Sequence, residues 1–171
     1  MMDRRTAMAG VASMFGASLF APLARAAGAA EAAPRGAEIP AISEGPPSMR
    51  VFTPAQRAAM SALSDRVIPT TDTPGAIAAG VPDFIEKMLA DWAMPGDRVP
   101  IVAGLDAIEA RSMRDYGVPT AKATVEQQDA LLTLAMNGQE ANGFFVPFRQ
   151  LVIGGYYTSE IGMTEERGYL P

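Results

Sequence analysis

The sequence contains neither cysteine nor histidine. Without cysteine, the chain can form no disulfide, thiolate metal site, iron–sulfur cluster or covalent haem attachment. Without histidine, it lacks the commonest metal ligand and the usual general base near neutral pH. An enzyme that uses carboxylates, lysine, tyrosine or serine remains open, but most common mechanisms are excluded.

Positive charge is also scarce. The chain of 171 residues has 14 lysines and arginines against 19 aspartates and glutamates, for a formal net charge of −5, and has no run of basic residues. Because phosphate binding needs clustered positive charge, the sequence argues against a nucleic-acid partner. Apolar residues make up 49% of the chain, which is enough for a packed core, and the length indicates one domain with appendages.

The sequence motifs of common catalytic and nucleotide-binding sites are missing. There is no G-x-G-x-x-G, no Walker loop and no G-x-S-x-G, and the carboxylates are scattered over polar helix faces. Glu109 and Asp115 either pair with Arg111 and Arg114 or belong to a solvated face. We therefore expect no catalytic, cofactor-binding or metal-binding residue in this chain.

The first 26 residues have the pattern of an export signal. Arg4 and Arg5 precede a stretch without charge, residues 7–23, and Ala24-Arg25-Ala26 resembles an A-x-A cleavage site. The paired arginines and the only moderately apolar middle favour the twin-arginine route to the periplasm. An ordinary secretory signal and an uncleaved anchor are the alternatives.

The rest of the chain divides into three parts. Residues 27–50 are rich in Ala, Pro, Gly and Glu without periodicity, which predicts a flexible linker or an arm that orders against a partner. Residues 51–162 carry helical patterns and form the predicted domain, and residues 163–171 form a tail. No segment alternates with period two over a useful length.

The domain is predicted to be all-α, a compact bundle of about five helices. Thr53 with Gln56, and Thr124 with Gln127, have capping-box spacing, and Gly117 is placed as a C-cap. Met94-Pro95-Gly96 is expected to stop the second helix, whose polar face would hold Asp83, Glu86, Lys87 and Asp91. The expected core positions at helical spacing include Met60, Leu63, Phe84, Ile85, Met88, Leu89, Trp92, Ile101, Leu105, Ile108, Ser112, Leu131, Leu132, Phe144, Phe148, Leu151 and Val152.

Two short stretches stand out as candidate partner interfaces. In IGGYYTSEIG, Gly154 and Gly155 are expected to end the last helix and to present Tyr156, Tyr157, Thr158, Ser159 and Glu160 to a partner. The alternative is that a tyrosine packs on the domain's own helices. The second candidate is the turn PTTDTPG with Asp72, Pro74 and Gly75, where Asp72 is more simply explained as a turn-former that bonds its own backbone.

Three stretches of the sequence resemble a known family. They are LSDRVIPTTDTPGAIAAGVPDFIEKML (63–89), the segment from QQDALLTLA to GFFVPFRQLVIGGYYTSEIG (127–162), and the signal with Arg4 and Arg5. Together they resemble the small (gamma) subunit family of gluconate 2-dehydrogenase, subunit 3. The resemblance covers most of residues 51–162.

The resemblance implies a non-catalytic subunit of a periplasmic, membrane-associated sugar or polyol dehydrogenase. FAD would sit in a large subunit of the glucose–methanol–choline (GMC) oxidoreductase type, haem c in a cytochrome subunit, and no cofactor in this chain. The small subunit's signal could then carry a folded flavoprotein that lacks its own. A stand-alone periplasmic helical module that binds a small molecule or lipid is the alternative.

Overall fold

The computed structural model of the chain describes residues 45–166. The predicted export signal, with Arg4, Arg5, Ala24 and Ala26, lies outside the described residues, as do residues 27–44 of the predicted arm and the end of the predicted tail. Those assignments stay predictions.

Five α-helices form the described part of the chain. They are α1 (Pro54–Val67), α2 (Val81–Lys87), α3 (Pro95–Tyr116), α4 (Val125–Met136) and α5 (Phe145–Thr158). A π-helical turn, Met88–Trp92, extends α2, a 3-10 turn, Thr120–Lys122, precedes α4, and a second π-helical turn, Gly162–Glu166, follows α5. Residues 45–166 contain no strand, so the predicted all-α fold is confirmed.

The predicted helix starts are confirmed by their capping bonds. The backbone N–H of Gln56 donates to Thr53 Oγ1 at 3.2 Å, and that of Thr53 donates to Gln56 Oε1 at 2.9 Å. Thr124 and Gln127 make the same reciprocal pair at the start of α4. Each box satisfies two backbone donors that a helix start leaves without intrahelical partners, which is why the spacing was informative.

The expected stop of the second helix is confirmed, but one prediction about its polar face was wrong. The π-helical turn that extends α2 ends at Trp92, just before the Met94-Pro95-Gly96 segment, and Pro95 opens α3 because proline's missing N–H is not needed in a first turn. Glu86 does not face solvent: it is 7% exposed and accepts a hydrogen bond from Arg57 of α1, which also donates to Asp83. A charge this buried needs a partner, and the partner lies in another helix.

The core runs between all five helices. The predicted stripe of α3, with Ile101, Leu105, Ile108 and Ser112, is buried as expected. Beside it, Phe144 packs onto Gly104 so closely that a Cβ at this position would overlap the phenyl ring. The remaining fully buried large side chains are Tyr156, Phe148, Met60, Leu63, Ile85, Leu131, Leu151 and Val81.

Residues 45–50, the described end of the predicted arm, lie against α2 and α3. Asp91 Oδ1 accepts the backbone N–H of Ser48 at 2.8 Å, and Lys87 Nζ donates to the carbonyl of Pro46 at 3.3 Å and to Asp91 at 2.9 Å. Arg98 donates to Met49 Sδ at 3.4 Å. Hydrogen bonding from Ser48, followed by that from Lys87, lowers the pKa of Asp91 to about 2. This end of the arm is therefore held by charged side chains.

Candidate functional site

Tyr156 joins the two stretches that the sequence singled out. Its ring is 2% exposed, and its hydroxyl donates to the carbonyl oxygen of Pro74 at 2.9 Å, across 82 residues of chain. The turn after α1 and the end of α5 therefore form one structural unit. Of the two interpretations of Tyr156, the structure favours packing on the domain's own helices.

The turn of residues 68–76 is fixed by its own backbone. The N–H of Gly75 donates to Thr70 Oγ1 at 3.0 Å, and that of Ala76 donates to the carbonyl of Ile68 at 2.9 Å. A Cβ at Gly75 would stand 2.7 Å from that Ile68 oxygen, so the close approach of two backbone segments requires glycine here. The side chain that bonds back onto the turn is Thr70, in the role proposed for Asp72, and Asp72 itself is exposed.

The prediction that Gly154 and Gly155 end α5 was wrong. The helix continues to Thr158, and neither glycine has a positive φ. Gly155 is needed for packing instead: a Cβ would lie 2.6 Å from Cδ1 of Phe84, which rests on this position. The ring of a neighbouring helix occupies the space that a side chain would take.

Ser159 ends α5 and starts the next helical turn. Its hydroxyl donates to the carbonyl of Tyr156 at 2.6 Å and accepts the N–H of Gly162 at 3.0 Å. Gly162 then packs directly on the backbone of Tyr156, where a Cβ would overlap the carbonyl oxygen. We call this change of direction, residues 156–166, the corner. Ser159 and Gly162 shape it.

What the two stretches present to solvent is a smaller set. Asp72, Thr158 and Glu160 are exposed, and Tyr157 is half-buried with its ring in edge-to-face contact with that of Tyr156, the centroids 5.3 Å apart. The hydroxyl of Thr158 donates to the carbonyl of Gly154 at 2.8 Å. We call the exposed face of residues 69–78 and 157–165 the turn–corner surface. It carries the half-buried ring of Tyr157 and the exposed carboxylates of Asp72 and Glu160.

The described residues show no arrangement suited to metal chemistry. Among residues 45–166, no three carboxylates come together in a group that could hold a metal ion. Glu109 accepts the N–H of Thr120 at 2.9 Å, whereas Arg111 and Arg114 pair with Asp115 and Glu140. These carboxylates hold loops and helix ends in place. In the same range, no helix has both the length and the apolar character needed to cross a membrane.

Sequence reasoning missed the link between Tyr156 and Pro74, although half of the signal was present. Phe148, Val152 and Tyr156 follow one another at intervals of four, so Tyr156 continues the buried stripe of α5. The glycine pair between Val152 and Tyr156 hid this continuity. Nothing in the spacing indicates the acceptor, because Pro74 lies in a different part of the chain.

A comparison with known protein families gives a match that includes both the turn and the corner. The family model described as Gluconate 2-dehydrogenase subunit 3 matches residues 54–171. Neither a curated protein nor a solved structure matches the chain. The match spans all five helices described above, and the chain belongs to the gluconate 2-dehydrogenase subunit 3 family.

Proposed function

We propose that this chain is a non-catalytic small subunit of a periplasmic, flavin-dependent sugar or polyol dehydrogenase, and that it assists export, folding and assembly of the large subunit. The observation that carries the proposal is the family match over residues 54–171. In this arrangement a GMC-type large subunit holds FAD, a cytochrome subunit holds haem c, and this chain reaches the membrane only through the complex.

The architecture supports a role in assembly. The turn and the corner are closely packed, with backbone against Gly75 and Gly162 and the ring of Phe84 against Gly155. A preorganised surface lowers the ordering cost of association. The carboxylates outside this surface are largely used within the fold, as with Glu86 and Glu109.

The experiment that tests the proposal is purification of the full chain from its native host under mild conditions. We expect a flavoprotein dehydrogenase subunit to copurify, and flavin absorbance and sugar or polyol oxidation to follow that subunit after the two are separated. The isolated small subunit should retain neither. A stoichiometric flavin or dehydrogenase activity retained by the isolated chain would refute the non-catalytic role.

The export role has its own test. Replacing Arg4 and Arg5 with lysine should leave both this chain and the large subunit in the cytoplasm, because a twin-arginine signal on one folded partner would have to serve both. Cell fractionation with detection of both subunits measures this. A large subunit that still reaches the periplasm would show that it does not depend on this chain's signal.

A further inference from the structure

Arg98, near the start of α3, is a cation without an anionic partner among residues 45–166. Its Nη2 donates to the carbonyl oxygens of Ala90 and Ala93, at 3.1 and 3.2 Å. No carboxylate in that range forms an ion pair with it, and its Nε is buried without a hydrogen-bond partner. The two carbonyls fix the position of the guanidinium but leave part of its donor capacity unused.

The acceptor at its remaining terminal nitrogen is the sulfur of Met49. Nη1 of Arg98 donates to Met49 Sδ at 3.4 Å, and a thioether is a weak acceptor for a charged donor. Met49 is 47% exposed. Met113 and Met136 are 48% and 56% exposed, but within the described part of the chain their sulfur atoms have no such donor. Met49 therefore combines access from solvent with a fixed cation beside its sulfur.

This combination matters because a peroxide converts a thioether into a stronger acceptor. The sulfur lone pair attacks one peroxide oxygen, the O–O bond breaks, and the second oxygen leaves as water when the oxidant is hydrogen peroxide. The sulfur loses two electrons and the peroxide is reduced, which yields methionine sulfoxide. The sulfoxide oxygen carries partial negative charge, and hydrogen bonds from an ionised donor are the strong ones.

We propose that Met49 is an oxidation site, and that its sulfoxide binds Arg98 more strongly than the thioether does. Oxidation by a peroxide then tightens the attachment of residues 45–50 to the bundle. The geometry for this is in place before oxidation, because Ala90 and Ala93 hold the guanidinium beside the sulfur. The inference concerns residues 45–50 and Arg98 alone and does not depend on the proposed function.

The test treats the full chain briefly with hydrogen peroxide. Peptide mass spectrometry identifies the oxidised methionines, and we expect the exposed ones to react before Met60 and Met88, which are 0% and 4% exposed. Attachment of residues 45–50 is measured as the rate of hydrogen exchange at the N–H of Ser48, which Asp91 accepts. Circular dichroism confirms that each treated sample is folded.

Three variants give the comparison. Met49→Leu keeps an apolar side chain and cannot form a sulfoxide, and Met113→Leu is the matched control because Met113 is equally exposed on the same helix as Arg98. Met49→Gln needs no oxidant, since its amide carbon takes the place of the sulfur and its amide oxygen that of the sulfoxide oxygen. It therefore tests the contact even if peroxide damages the fold elsewhere.

We expect peroxide to slow exchange at Ser48 by about fivefold in the unmodified chain and in Met113→Leu, the factor for one added hydrogen bond of ordinary net strength. Peroxide should leave the rate of Met49→Leu unchanged. Untreated Met49→Gln should exchange more slowly than untreated Met49→Leu. Treatment of the oxidised chain with a methionine sulfoxide reductase and a dithiol, which removes the oxygen as water, should restore the original rate.

Several results would overturn the inference. Unchanged or faster exchange in a folded chain whose Met49 is oxidised would mean that the sulfoxide does not bind Arg98. Equal slowing in Met49→Leu would place the effect at another methionine. If peroxide unfolds every sample, Met49→Gln decides the outcome, and an exchange rate no slower than that of Met49→Leu overturns the proposal.

Discussion

Two irregular segments lie against the same helical bundle, and they are attached by different means. Residues 45–50 are held by charged side chains on the outside of the bundle, those of Lys87, Asp91 and Arg98. The turn of residues 68–76 is held from inside, by the hydroxyl of a buried tyrosine and by backbone packed against backbone. Charged attachments near the surface contribute little free energy and weaken with salt, whereas buried attachments contribute more and depend less on salt. The turn therefore belongs to the folding unit, and we expect residues 45–50 to be released more easily than the turn.

The largest expected effect is that of Tyr156→Ala, which removes the internal attachment of the turn. Truncating a buried aromatic ring typically costs about 3–5 kcal/mol in the free energy of unfolding. Chemical denaturation followed by circular dichroism measures this, with Tyr157→Ala as the control because Tyr157 is only half-buried. Equal losses for the two variants would contradict the distinction between them. Tyr156→Ala is consequently a poor probe of partner binding, since it disturbs the fold.

The sequence predicted the helices well because their determinants are local. Capping boxes at Thr53 and Thr124 involve residues three apart, and the stripe of α3 follows from one helical period. Long-range determinants could not be predicted. Burial of Glu86 depends on Arg57, which lies 29 residues earlier in another helix. The family resemblance, in contrast, was correctly identified from residues 63–89 and 127–162.

The candidate site was only partly predictable, for a related reason. Glycine pairs commonly end helices by adopting a positive φ, but glycine also permits close packing, and the sequence does not distinguish the two uses. At Gly155 the deciding factor is the ring of Phe84, 71 positions away in the chain. The role of the stretch as a partner interface stays a prediction, and the turn and the corner proved to be in contact. Which residues of the stretch are exposed to solvent could be determined only from the folded structure.

The next effect in size is expected for Gly75→Ala, which forces a methyl group into the backbone of the turn. Overpacking of this kind typically costs about 1–3 kcal/mol. Gly96→Ala is the matched control, because a Cβ there meets nothing within 4 Å and alanine is the better helix former. Thermal unfolding of both variants gives the comparison. An unchanged stability of the Gly75 variant would show that the turn can move away from Ile68.

A smaller effect is expected for Tyr156→Phe, which keeps the ring and removes the hydrogen bond to Pro74. The expected loss is about 1 kcal/mol in the free energy of unfolding, the usual net value of one such bond. Hydrogen exchange should show faster exchange at the N–H groups of Gly75 and Ala76, while the N–H groups at the start of α4 keep their rates. Unchanged exchange in the turn would mean that Pro74 is held by other contacts.

The smallest effect is expected for the arm, with Asp91→Asn. Loss of the charge should cost less than about 1 kcal/mol, and the cost should decrease as salt is added. Because the folded-state pKa of Asp91 is lowered from 3.8 to about 2, its contribution is complete above pH 4 and is lost as the pH falls through about 2. Hydrogen exchange at Ser48 N–H follows the release, with Asp97→Asn as a variant outside this attachment. A salt-independent effect would indicate that the arm is held by packing.

The two aromatic rings that rest on glycines, Phe144 on Gly104 and Phe84 on Gly155, have a consequence for how the chain can change. In each pair the ring fills the space beside the glycine, and the two contacts together fix the rotation of α3 and α5 about their own axes. One residue inserted between Phe145 and Gly155 would rotate Gly155 by about 100° away from the ring of Phe84. Length changes should therefore be confined to the segments between helices, and the helices themselves should change only by substitution.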